Sequence, residues 1–101
     1  MDMSKVKITV LKKVDMGDIR KNYGNNVSEC EVFKEGDEFI SEGMSMPQGF
    51  CAWAWADIQR DVVHLALNGN YPWIKAKGAT ISCCTDGLRP VVFKLERVEL
   101  G

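Results

Sequence analysis

The chain has 101 residues, 46% hydrophobic and 27% charged, with 13 basic and 14 acidic side chains for a net charge of -1. That length fits one domain spanning residues 1–101 with one core. The charge balance leaves no bulk positive field to recruit nucleic acid or an anionic membrane.

Residues 5–11 alternate, with Val6, Ile8 and Val10 on one side and Lys5, Lys7, Thr9 and Leu11 on the other. This period of two predicts a strand with one wet face. Residues 15–24 predict a short helix, opened by Asp15 or Gly17 and closed by Gly24. Cys30-Glu31-Val32-Phe33 reads as extended, Gly36-Asp37 as a turn, and Glu38-Phe39-Ile40 as extended again. Residues 41–49, with Met44 and Met46, read as a loop.

The longest helical pattern runs from about Cys51 to Leu67, with Gly69 as its C-terminal cap. At ~100° per residue, Cys51, Trp55, Ile58, Val62 and Leu65 form the stripe that faces the core. Trp53, Asp57, Arg60 and His64 fall on the opposite side. That face is a pocket wall, a subunit interface, or a surface covered by the connector 71–78. No capping residue stands immediately before the helix, and Ser45 ahead of Pro47 is the nearest candidate. Pro72 stops any continuation. Thr80 to Cys84 reads as a strand, residues 85–90 as a loop around Asp86-Gly87, and Val91 to Val98 as a second strand pairing with the first as a hairpin. The order of elements argues an α+β fold, an antiparallel sheet packed against one long helix of about residues 51–67, the sheet either open or curled into a small partly open barrel.

Phe50-Cys51-Ala52-Trp53-Ala54-Trp55, Cys30-Glu31-Val32-Phe33-Lys34-Glu35-Gly36-Asp37, and Cys83-Cys84-Thr85-Asp86-Gly87-Leu88-Arg89-Pro90-Val91-Val92-Phe93-Lys94 together resemble a family of small, single-domain prokaryotic proteins of unknown function. The resemblance spans nearly the whole chain and implies a bacterial or archaeal origin. It implies no reaction, cofactor or partner.

The chemistry must therefore be read from residue types. Cys30, Cys51, Cys83 and Cys84 include no Cys-x-x-Cys pair, the spacing that marks zinc ribbons and thioredoxin-like sites. Free cysteines commonly serve as small core hydrophobes. Neighbours on a strand point to opposite faces, so at most three of the four thiols converge: Cys30, Cys51 and either Cys83 or Cys84. Such a set would suit zinc or iron with a fourth donor. His64 lies 13 residues after Cys51, about 220° around the helix, and diverges from it. Asp86 is the better fourth donor. Arg89, beside the Cys83-Cys84 pair, offers a cation for an anion or for thiolate stabilisation; the plainer account is a turn made by Asp86-Gly87 with Arg89 paired to a carboxylate.

Three readings follow. The first is a binding module in which Cys51, Trp53, Cys84, Asp86 and Arg89 line a site for a metal or a small anion. The second is a thiol-dependent redox or transfer enzyme using Cys84 or Cys51. The third is an interaction protein with core cysteines and an oligomeric contact over Trp53. The N-terminus reads as lacking a signal peptide, which places the protein in the cytoplasm with reduced thiols. Phosphate-loop, dinucleotide and zinc-protease motifs do not occur.

Overall fold

The computed structural model describes residues 3–98. The first predicted strand forms as β1 (Lys5–Lys13), and its alternation has the expected consequence: Val6, Ile8 and Val10 are buried while Lys5 and Leu11 are exposed. After α1 (Asp18–Tyr23) come β2 (Glu38–Ser41), α2 (Ala52–Ala66), β3 (Ala79–Cys83) and β4 (Val91–Val98). The four strands form one sheet in the order β2-β1-β4-β3, with every pair antiparallel. The first and last strands are therefore neighbours at its centre, joined over the registers Lys5↔Val98 to Lys13↔Val91 with a shift between Val10 and Lys12. β3 and β4 make the expected hairpin, which the Cys84 N–H extends by donating to the Val91 carbonyl at 3.0 Å.

The sheet does not close. β2 and β3 are its two edges, so of the two sheet forms left open by the sequence the open one is found. One face is wet, and Lys7 bridges Glu38 at 3.1 Å and Glu96 at 3.5 Å across three strands. The Glu38 hydrogen bond, with the two carboxylate charges, raises the Lys7 pKa. The other face carries α2, which packs on β1, β4 and β3.

α2 buries Ala54, Ile58, Val62, Leu65 and Ala66. Cys51 and Trp55 pack on the core from partly exposed positions at its start. Cys51 is the N-cap and makes no side-chain capping bond. Ser45 is not the cap, because its hydroxyl donates to the Glu42 carbonyl at 2.6 Å. At the other end Leu67 is the C-cap, and Asn68, at φ 71, takes the left-handed turn that was expected of Gly69. Gly69 leaves room for the exposed His64 ring, which a Cβ there would displace.

Residues 30–33 do not form a strand, contrary to the extended reading. The segment is irregular because its role is to deliver Phe33 into the core. Phe33 packs against Phe39, Phe50 and Phe93 at ring-centroid distances of 5.8, 5.0 and 5.3 Å. Only after Gly36 turns at φ 93 do backbone bonds to Val10 align the chain for β2.

The connector 71–78 packs on the C-terminal half of α2. The Tyr71 hydroxyl donates to Asp61 Oδ1 at 2.5 Å, and its ring sits 4.7 Å from His64 and 5.2 Å from Trp73. Partial burial and the Asp61 carboxylate both push the Tyr71 pKa well above its ordinary value of 10.0. A raised folded-state pKa contributes stability that is intact below the unfolded value and is lost as pH rises. Urea midpoints are thus expected to fall as pH climbs past about 10, and Tyr71→Phe is expected to flatten that part of the profile. Equal alkaline slopes in the two proteins would refute the assignment.

Among the described residues, no helix is long and apolar enough to cross a membrane.

Candidate functional site

Three segments far apart in sequence meet at the N-terminal end of α2. The irregular stretch contributes Cys30, Glu31, Val32 and Phe33; the first turn of α2, with its cap, contributes Cys51, Trp53 and Ala54; the β3–β4 turn contributes Cys84, Thr85, Asp86, Gly87, Arg89 and Val91. Between them lies a cleft of about 540 Å³. Cys51, Trp53, Cys84, Asp86 and Arg89, singled out from sequence as ligand-binding candidates, all line it.

Strand alternation sorts the adjacent cysteines. Cys84 is buried in the cleft wall, whereas Cys83 is exposed and is not among the residues that line the cleft. The Cys84 sulfur accepts the Val91 N–H at 3.3 Å, which ties the thiol into the hairpin. Cys30 and Cys51 are partly exposed. All four cysteines are free.

The three cleft thiols do not close into a ligand set. Among the described residues no group of three or more His, Cys, Asp or Glu is placed to hold a metal ion. Of the zinc or iron candidates Cys30, Cys51, Cys83 and Cys84, of which at most three were expected to converge, Cys30, Cys51 and Cys84 line the cleft and Cys83 does not, and they form no metal-holding group. Asp86, the proposed fourth donor, is committed elsewhere.

Its Oδ2 accepts from Arg89 Nε at 2.9 Å and its Oδ1 from the Leu88 N–H at 3.1 Å. Partial burial pulls the Asp86 pKa upward, but the hydrogen bonds from Arg89 and Leu88 outweigh it and hold the carboxyl below its ordinary value. The same bond, with weaker contributions from Cys30 and Glu31, raises the Arg89 pKa. Asp86 engages only Nε, so among the described residues both terminal nitrogens of Arg89 have no hydrogen-bond partner. The first turn of α2 adds N–H groups with no side-chain cap, a second source of positive potential.

Trp53 stands at the cleft with 67% of its surface exposed. The connector does not cover it, since Tyr71 and Trp73 stack at the His64 end of the helix. The face that sequence grouped as Trp53, Asp57, Arg60 and His64 is thereby divided. Trp53 belongs to the cleft and His64 to the connector, where its Nε2 lies 3.1 Å from the Asn70 carbonyl.

Asp57 has a role that sequence reasoning missed. Its carboxylate accepts the Thr85 N–H at 2.8 Å and the Thr85 hydroxyl at 3.0 Å, pinning the β3–β4 turn, which carries Arg89, to α2. A Thr-Asp-Gly sequence announces a turn and nothing of the helix that anchors it. Glu31, Val32 and Thr85 were missed as lining residues for the same reason.

Fold and cleft together define an α+β protein, an open antiparallel sheet under one helix, with a cysteine-lined cleft at the helix N-terminus. No family model, curated protein or solved structure matches the chain.

Proposed function

We propose that the protein is a binding module whose cleft takes a small organic anion. The supporting observation is the convergence, around one cleft, of the half-free Arg89 guanidinium, an uncapped helix N-terminus and the exposed face of Trp53. The terminal nitrogens of Arg89 suit a carboxylate-sized group, and Trp53 with Val32 offers apolar surface to the rest of the ligand. Asp86 and Glu31 on the same walls offset Arg89, which favours one negative charge over several. The thiol-enzyme reading has less support, because Cys84 is buried in the cleft wall, whereas a nucleophilic thiol must be accessible. Four free thiols support a reducing, cytoplasmic setting.

Titration with benzoate, acetate, phosphate and sulfate, followed by tryptophan fluorescence, tests the reading. Benzoate is expected to give a saturable change that Trp53→Phe removes. Arg89→Gln is expected to weaken binding about ten-fold or more, the scale of one lost charge-assisted pair. Failure of all four anions to bind, or unchanged affinity in Arg89→Gln, would remove the proposal.

A further inference from the structure

We infer that the β3 edge is a self-association surface, on which a second copy of this chain pairs antiparallel about a two-fold axis through Ile81.

β3 is an edge strand whose inner side bonds to β4. Among the described residues, no backbone or side-chain group outside β4 bonds to the backbone of residues 79–83. An open strand edge is a template for another strand, and proteins usually guard it with charge, proline, a bulge or brevity. Ala79-Thr80-Ile81-Ser82-Cys83 carries neither charge nor proline and pairs with β4 without a register shift.

The other edge is guarded. β2 has only four residues, begins with Glu38 and runs into Glu42. Self-pairing of β2 about Ile40 would set Glu38 opposite the partner's Glu42. The asymmetry selects β3 and ends the assembly at two copies, because pairing consumes β3 in both.

The sequence of the edge fits a copy of itself. Read from either end it is small, hydroxyl, large apolar, hydroxyl, small. A two-fold axis through Ile81 sets Ala79 against the partner's Cys83, Thr80 against the partner's Ser82, and Ile81 against the partner's Ile81. Thr–Ser and aliphatic pairs directly opposite one another are favourable cross-strand neighbours. Such a contact is isologous and closed. Ile81, 51% exposed on the wet face, would gain an apolar neighbour. A net charge of -1 leaves little long-range repulsion between copies.

The full chain can be tested as it stands. Sedimentation of the native protein is expected to show a dimer at about 1 mM that dissociates on dilution. Ile81→Glu is expected to be monomeric with an unchanged circular-dichroism spectrum. Within one copy the new carboxylate faces Lys94, the cross-strand partner of position 81, whereas in the dimer two carboxylates would meet on the axis.

The register is read separately with Ala79→Cys. The introduced thiol would oppose Cys83 of the second copy, so mild oxidation is expected to yield a covalent dimer. Under the same oxidation the native protein should yield none, because its two Cys83 residues would lie about 13 Å apart along the paired strands. A native protein that stays monomeric, an Ile81→Glu protein that dimerises equally well, the absence of a cross-link in Ala79→Cys, or a native Cys83 cross-link would each overturn the inference.

Discussion

Phe33→Ala is expected to destabilise the protein by about 3–5 kcal/mol, the cost of removing a buried aromatic ring and leaving part of its volume empty. Phe33 is 1% exposed and touches three other phenylalanines. Edge-to-face contacts with Phe39 and Phe93 add to its burial. No strand or helix holds residues 30–33, so this side chain is the main anchor of one wall of the cleft. Removal should therefore lower anion affinity as well as stability. Since a domain of this kind retains only about 5–15 kcal/mol in total, the alanine variant is expected to unfold at much lower urea. Phe33→Leu keeps most of the apolar volume and should lose less than half as much. Urea titration of both variants, with slopes compared to the native protein, checks the claim. A loss below about 1 kcal/mol would show that the neighbouring rings collapse into the space.

The reasons Phe33 could not be placed from sequence apply to much of the site. Wherever a period existed, the chain was readable. Val6, Ile8 and Val10 announced β1, Val91, Phe93 and Leu95 announced β4, and Ile58, Val62 and Leu65 announced the buried stripe of α2. The same rule divided Cys83 from Cys84. Phe33 sits on no period; it enters the core from a bend whose only local signal is the Gly36-Asp37 turn after it.

The cleft was legible in its chemistry and not in its shape. Cys51, Trp53, Cys84, Asp86 and Arg89 stood out as residue types, yet nothing local states that the three segments bearing the lining residues meet. The bonds that bring two of them together run between Asp57 and Thr85, 28 residues apart. Contacts of that span depend on how α2 lies across the sheet, and a one-dimensional pattern does not encode that crossing. Gly69 illustrates a nearer failure. The Asn-Gly pair marked the helix end correctly, but Asn68 makes the turn and Gly69 yields space to His64.

Arg97→Met is expected to cost about 3 kcal/mol, since it removes three charge-assisted bonds and leaves the Gly69 carbonyl without its donor. Arg97 Nη1 donates to the Leu65 and Gly69 carbonyls at 2.9 and 2.7 Å, and Nη2 to Asn70 Oδ1 at 2.9 Å. The cation thus lies at the negative end of α2, where it adds a second donor to the Leu65 carbonyl, which also accepts the Asn68 N–H at 3.1 Å. Asn70 Oδ1 also accepts the Gly78 N–H at 2.7 Å, and the Arg97 N–H donates to the Gly78 carbonyl at 2.6 Å. The side chain therefore fastens the end of α2 and the start of the connector to β4, while the Arg97 backbone N–H holds the connector's far end at Gly78. Gly78, at φ 76, is what lets the backbone pass so close; a Cβ there would stand 3.0 Å from Nη2. Methionine keeps the aliphatic stem and removes the fork, which separates lost bonding from lost packing. Arg97→Lys retains the charge without the planar donor geometry and should fall between the two. At this chain length the methionine variant should melt roughly 12–24 °C lower, and amide exchange should quicken first in the last turn of α2. If melting shifts by only a degree or two, the helix end and the connector are held by the Tyr71–Asp61 contact and apolar packing instead, and Arg97 is an ornament on a joint that closes without it.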